Sequence, residues 1–264
     1  MNRTISELFE RKSVRVFTDR EITAEEKNVI LEAAAMAPSA GNQQLYTIID
    51  VTNQKEKEKL AVTCDNQPFI AEAKMVLVFC ADCQKWYDAF LSSGCNPRHP
   101  GVGDLMLAVT DTAIAAQNAV TASWSLGIGS CYIGDIMENC EAHRKLLNLP
   151  PWVFPAVMVV FGYPTDQQIR RKKPERTEMC HIVHENTYRH MDQEELEKML
   201  SFKSGEKSYD EWIRAFCARK YNSEFSREMT RSVEVYLESF REPALFSDKK
   251  QPAASCREDA AFPE

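Results

Sequence analysis

Three basic side chains and a hydroxyl are packed into Arg11-Lys12-Ser13-Val14-Arg15-Val16-Phe17, near the start of a chain that is acidic overall. Arg11 and Arg15 are four positions apart, one helical turn, and can point the same way. Guanidinium forks match phosphate oxygens in two-point contacts, and Ser13 adds a hydroxyl donor. Such a stretch is an anion clamp, suited to the phosphate of a small molecule. The same residues also suit a solvated helix terminus, with the arginines paired to Glu7 and Glu10.

Three further groups carry chemistry. Pro38-Ser39-Ala40-Gly41-Asn42-Gln43-Gln44 joins a glycine that permits close backbone approach to amides that both donate and accept, a way to read a ring rich in carbonyls and N–H groups. Taken alone it is also an ordinary helix-ending turn. Gly127-Ile128-Gly129-Ser130-Cys131-Tyr132-Ile133-Gly134 exposes backbone N–H groups around an aromatic side chain. Its third glycine sits at the wrong offset for a dinucleotide fingerprint and it follows a helical pattern, not a strand. Arg170-Arg171-Lys172-Lys173 with Arg176 can close over a phosphate from the far end of the chain, or serve as a solvated linker.

Other chemistries find little support. A Walker-type phosphate loop and a Gly-x-Ser-x-Gly nucleophile motif are absent. Cys80 and Cys83 form Cys-x-x-Cys without a second pair, so a metal or redox role is disfavoured. His181 and His184 lack a Cys or carboxylate in a convincing ligand pattern, and no metal is expected. A net charge of -7 and a pI near 5.4 argue against a nucleic-acid partner. Nine scattered cysteines in a chain of 264 residues do not suggest a disulfide scaffold and fit a reducing cytoplasm. No apolar run reaches the roughly 18 residues of a membrane span, and the first residues do not read as a signal peptide.

Positioning these groups requires a mixed fold. Ile5, Leu8 and Phe9 space as a short amphipathic helix. Thr23 with Glu26 predicts a capping box and a helix running to Pro38. Residues 46–51, 74–80 and 153–161 read as strands, the second a continuous apolar run suited to a buried central position, and 130–133 as a short strand or an extended loop. Residues 104–124 predict a long central helix, with alanines on many faces that let other helices approach closely. Shorter helices are expected near 54–61 and 139–147. Residues 83–103 read as a short helix followed by an irregular excursion, a candidate lid. A polar loop at 167–176 leads to amphipathic helices at 192–200, 209–218 and 225–240, and the last 24 residues read as loose. Helices on both faces of one sheet, in an α/β or α+β arrangement, follow from this order.

The four motifs, in this order, resemble the nitroreductase family of flavoproteins over about residues 3–180, with Gly162-Tyr163-Pro164 ahead of Lys173 and Arg176 completing the set. The resemblance implies an α+β, three-layer fold: a mainly antiparallel sheet flanked by helices, in an interlocked homodimer with FMN at the subunit interface. It places an FMN-binding domain at 1–180 and a helical extension at 181–264, packed on the core or on the partner subunit. It implies ping-pong chemistry: NAD(P)H reduces FMN, then a small-molecule acceptor, such as a nitroaromatic or quinone, takes the electrons. Arg11, Ser13 and Arg15 would hold the phosphate and ribityl chain, Lys12 between them would also contact the cofactor, and Lys173 and Arg176 would return to the phosphate. Pro38, Ser39, Asn42 and Gln44 would lie along the flavin, the last two reaching it from the partner. Gly129, Ser130, Cys131, Tyr132, Ile133 and Gly134 would offer backbone contacts to the ring. Lys12 stands where the family often has a second arginine, and Leu45-Tyr46 where it often has Pro-Trp. Lys12 is assigned the catalytic role of stabilising the reduced anionic flavin near N1–O2. Trp86, Tyr87, Phe90, Arg98 and His99 are the candidate substrate contacts in the lid. A flavin-binding or sensing protein without turnover, and a reductive dehalogenase-like flavoenzyme, are the alternative readings.

Overall fold

The structure is a computed structural model that describes residues 1–241. The expectation of a loose tail falls on residues outside that range. One four-stranded sheet runs through the molecule in the order β1-β2-β4-β3, with β1 Tyr46–Asp50, β2 Met75–Asp82, β3 Gly129–Ile133 and β4 Val153–Gly162, every pair antiparallel. All eight residues of β2 are buried. The reason is that helices cover both faces of the sheet, so each of the two alternating sets of side chains meets a core. Leu77 and Phe79 join Ile30, Ala34, Ala115, Ala119 and Phe161 on one face. Val76, Val78 and Cys80 join Leu60, Cys64, Ile70, Met158 and Val160 on the other.

The first face is covered by α2 (Ala24–Ala35) and α6 (Val102–Ser125). Thr23 and Glu26 form the predicted capping box at the start of α2. Ala108, Ala115, Ala116 and Ala119 of α6 are fully buried, and the small side chains let α2 come close enough for Asn118 Nδ2 to donate to the Ala33 carbonyl at 3.1 Å. The opposite face carries α3 (Gln54–Thr63), the single turn α4 (Phe69–Glu72) and α7 (Cys140–Leu147). Pro155 lies inside β4, where the register with β2 shifts between Phe79 and Cys80; a residue without an N–H sits at the irregularity, where the ladder is already interrupted.

Around this centre are α1 (Arg3–Glu10), α5 (Gln84–Ser92), α8 (Asp166–Arg170), α9 (Gln193–Leu200), α10 (Tyr209–Lys220) and α11 (Glu224–Glu238). The turn α8 replaces part of the loop expected at 167–176; Asp166 in its first turn and Arg170 in its last complement the helix dipole. Helix α11 docks on the start of α7. Glu228 accepts from the Asn139 N–H at 3.1 Å, Ser232 from the Cys140 N–H at 3.0 Å, and the Tyr236 ring meets Phe154 edge-on at 5.1 Å. Among the described residues no helix is long and apolar enough to cross a membrane.

Candidate functional site

Helix α1 ends at Glu10, and the Arg11 N–H closes it on the Glu7 carbonyl at 2.9 Å. Beyond it the backbone runs extended along the outer edge of β3, with the Val14 N–H on the Ser130 carbonyl at 2.9 Å and the Thr18 N–H on that of Tyr163 at 2.8 Å. A Cβ on Gly129 would lie 2.6 Å from Val14 Cγ2, and one on Gly162 2.6 Å from Phe17 Cδ1. Both glycines are there because the two backbones run side by side. Arg11 and Arg15 are therefore not on one helical turn, as their spacing suggested. They still converge: burial raises the Cys131 thiol pKa, while Arg15, Ser13 and Arg11 all act on it in the opposite direction.

The late basic run closes on the same place. Arg171 donates its guanidinium to the Ser13 carbonyl, and the Arg15 N–H reaches Gln168 Oε1 at 3.4 Å. Lys173 Nζ donates to the Phe9 and Leu8 carbonyls at 2.6 and 3.2 Å, at the negative end of α1. Its pKa is lowered from the usual lysine value, first by burial and then by the like charges of Arg176 and Arg11. Arg11 Nε makes no hydrogen bond and is cut off from solvent. Cations held this close, with an unsatisfied guanidinium N–H among them, form a site shaped for a multivalent anion such as a phosphate. Arg11, Ser13, Arg15, Lys173 and Arg176 are thus brought together. Lys12 differs: its ammonium donates to the Ile169 carbonyl at 2.6 Å and to that of Arg171, tying α8 and the turn after it to the clamp.

The segment from Pro38 to Gln44 leads into β1, at the opposite edge of the sheet from β3. The two central strands between the edges put them roughly 14 Å apart at the usual strand spacing. Gly41, Asn42 and Gln44 have φ of +56°, +55° and +50°. Ser39 Oγ accepts from the Gln44 N–H at 3.0 Å, and Gln44 Nε2 donates to the Ala35 carbonyl at 3.1 Å, so that amide is engaged within its own chain. Asp111 of α6 accepts from the N–H groups of Ala40 and Leu45. In the glycine-flanked stretch, Ser130, Cys131 and Ile133 are buried, while the Tyr132 hydroxyl meets Gln117 Oε1 at 3.1 Å.

In the lid region, Trp86, Tyr87, Phe90 and Arg98 line a cavity of about 310 Å³ together with Gln43 and Asp104. Trp86 Nε1 donates to the Gln43 carbonyl at 2.8 Å, joining α5 to the loop before β1. Arg98 grips Asp104 with two bonds, at 2.6 and 2.9 Å, and holds its carboxyl below the usual range. His99 turns away from the cavity into an aromatic cluster, 5.3 Å from Trp152 and 5.5 Å from Tyr87.

Burial pushes the Cys80 and Cys83 thiols up to about 12, so neither forms the reactive thiolate at neutral pH. The reading that His181 lacks neighbouring ligands is corrected: exposed Glu178 and Cys180 and half-buried His181 bring ligand atoms within 4.8 Å of one another. The sequence reading did not single out Asp111 and Gln168. Asp111 was detectable, since it lies at helical spacing with Ala108, Thr112 and Ala115 on the buried face of α6.

A family model described as the nitroreductase family matches residues 8–163. The chain is 31% identical over 247 residues to the FMN reductase [NAD(P)H] of Bacillus subtilis, covering 93% of this chain and 95% of that one. It is 34% identical over 203 residues to the oxygen-insensitive NADPH nitroreductase of Salmonella typhimurium, covering 76% and 79%. The NADPH:FMN oxidoreductase of Vibrio harveyi, solved with NAD+, superposes with a TM-score of 0.72 at 26% identity, over 90% of this chain and 98% of that one.

Proposed function

The chain belongs to the nitroreductase family and is an FMN-dependent NAD(P)H oxidoreductase, and from that premise we propose that Arg11, Ser13, Arg15, Lys173 and Arg176 hold the FMN phosphate. The observation that carries this assignment is the crowding of Lys173 against Arg176 and Arg11 beside the partnerless Arg11 Nε. A phosphate dianion there satisfies the orphaned donor and relieves the repulsion at once.

FMN, when bound, supplies the electron transfer itself. The chain's part is to hold and shield. Arg11 and Arg15 grip phosphate oxygens, and Lys12 and Lys173 brace the 169–173 segment against the clamp by their carbonyl contacts. The Gly129 to Gly134 backbone is assigned to the ring. Lys12 adds positive charge to this end of the site, which favours an anionic reduced flavin. The cavity beneath Trp86, Tyr87 and Phe90 suits a flat, electron-poor acceptor, a nitroaromatic or a quinone, by its aromatic walls.

The working unit is proposed to be a homodimer in the cytoplasm. The clamp and the 38–44 loop flank opposite edges of one sheet, so a compact site drawing on both takes one of them from a second copy. Apolar side chains on α1, α6 and next to α2 support this: Phe9, Met36 and Met106 are 64%, 79% and 59% exposed in the single chain. The eight cysteines of the described residues are free thiols, which suits a reducing compartment. Steady-state kinetics with NADPH and a nitroaromatic test the proposal: a substituted-enzyme mechanism gives parallel double-reciprocal lines, and intersecting lines contradict it.

A further inference from the structure

The loop between α2 and β1 holds an unusual backbone, with Gly41, Asn42 and Gln44 all in the left-handed region, two of them carrying side chains. Such a conformation persists only where its surroundings fix it. The fixing group is Asp111, on the buried face of α6 and 3% exposed. Its Oδ1 accepts from the Ala40 N–H at 3.0 Å, and its Oδ2 from the Leu45 N–H at 3.3 Å. One carboxylate therefore pins both ends of the bend, while the Ser39 hydroxyl and the Trp86 indole secure its interior.

The chemistry of the group is informative. Among the described residues no cation pairs with Asp111, so its two buried oxygens are left to the backbone N–H groups of Ala40 and Leu45. Buried N–H groups need acceptors, and a side chain with a single acceptor atom would serve only one of the two at these positions. A carboxylate offers what asparagine does not, an acceptor on both of its outer atoms. An amide here would turn an NH2 toward one of the two N–H donors.

We propose that Asp111 is a positioning residue for the cofactor: it sets the backbone of Asn42 and Gln44 before FMN arrives, so that ordering the loop is not charged against binding. The inference rests on the reading of residues 38–44 as an FMN-contacting loop. Its force is preorganisation, which raises affinity by removing a cost rather than adding a contact.

The isosteric Asp111→Asn variant of the full chain tests it, read by FMN titration and by amide hydrogen exchange of the apoprotein. Asp111→Asn is expected to weaken FMN binding at least tenfold and to speed exchange at Ala40 and Leu45 at least tenfold. Ser123→Ala is the control: this buried α6 hydroxyl donates to the Val120 carbonyl, about 18 Å along the helix from Asp111, and the variant is expected to leave FMN affinity within twofold. An Asp111→Asn protein that binds FMN and exchanges like the wild type overturns the inference, as does equal weakening by Ser123→Ala. If the Asn variant does not accumulate as folded protein, exchange in the wild type decides. Ala40 and Leu45 are expected at least a hundredfold slower than Gly41, and equal rates overturn the clamp. A wild type that binds no FMN contradicts the proposed function instead, and the exchange result still stands.

Discussion

The Val14 N–H donates to the Ser130 carbonyl at 2.9 Å, fastening the basic segment after α1 to an edge strand more than a hundred residues later. This bond sets where Ser13 and Arg15 can point, because an extended backbone turns neighbouring side chains to opposite sides. Val14 is fully buried, which leaves the residues on either side of it to the clamp.

The contact depends on Gly129. Its Cβ position lies 2.6 Å from Val14 Cγ2 and 2.7 Å from Val14 Cβ, so Gly129→Ala forces the two backbones apart. Overpacking of this kind costs about 1–3 kcal/mol. The expected outcome is a lowered Tm with weakened FMN binding, read by thermal melts and fluorescence titration.

Arg11→Ala removes the fork whose Nε lacks a partner in the free chain. Charge-assisted bonds contribute about 1.5–3 kcal/mol, so FMN affinity is expected to fall roughly ten- to a hundredfold. Since repulsion by Arg11 helps hold down the Lys173 pKa, stability without FMN should change little or rise. Titration and apoprotein melts check both parts.

Lys12→Met tests the turn and the charge separately. Loss of the donations to Ile169 and Arg171 should loosen the turn and weaken FMN binding. Loss of the cation should move the midpoint potential of the bound flavin down. Weaker binding with an unchanged potential confines Lys12 to the turn.

Glu138 governs a pH effect away from the site. Burial, with Asp135, Asp65 and Glu228 nearby, raises its pKa to about 7, above the ordinary carboxyl value. The folded state then holds a proton that the unfolded state has released, so this group's contribution to stability falls as pH rises through 7. Glu138→Gln should melt higher than the wild type at pH 8, and the difference should shrink toward pH 6. Comparing the two proteins at each pH cancels the opposite effect of His143, whose buried ring is kept neutral.

Much of this was legible in the sequence because local chemistry determined it. The capping box at Thr23 and Glu26 formed as read, and the apolar run of β2 became a central strand buried on both faces. The alanines of α6 marked a helix that others approach closely. What was not legible depends on partners distant along the chain. The spacing of Arg11 and Arg15 suggests a helix, but their convergence comes from pairing with β3. His99 sits in a stretch that reads as a lid, yet it packs against Trp152, which no local pattern links to it. Lys12 reads as a cation for the reduced flavin, and its bonds to the carbonyls of Ile169 and Arg171 join it to a segment more than 150 residues later.

The measurement that bears most directly on the account is the absorption spectrum of the purified protein, titrated with FMN and then anaerobically with NADPH, beside the Arg11→Ala, Arg15→Ala double variant. About one FMN per chain is expected in the wild type, bleached by NADPH and restored by a nitroaromatic, with little retained flavin in a folded double variant. A folded double variant that keeps FMN as tightly as the wild type would contradict it.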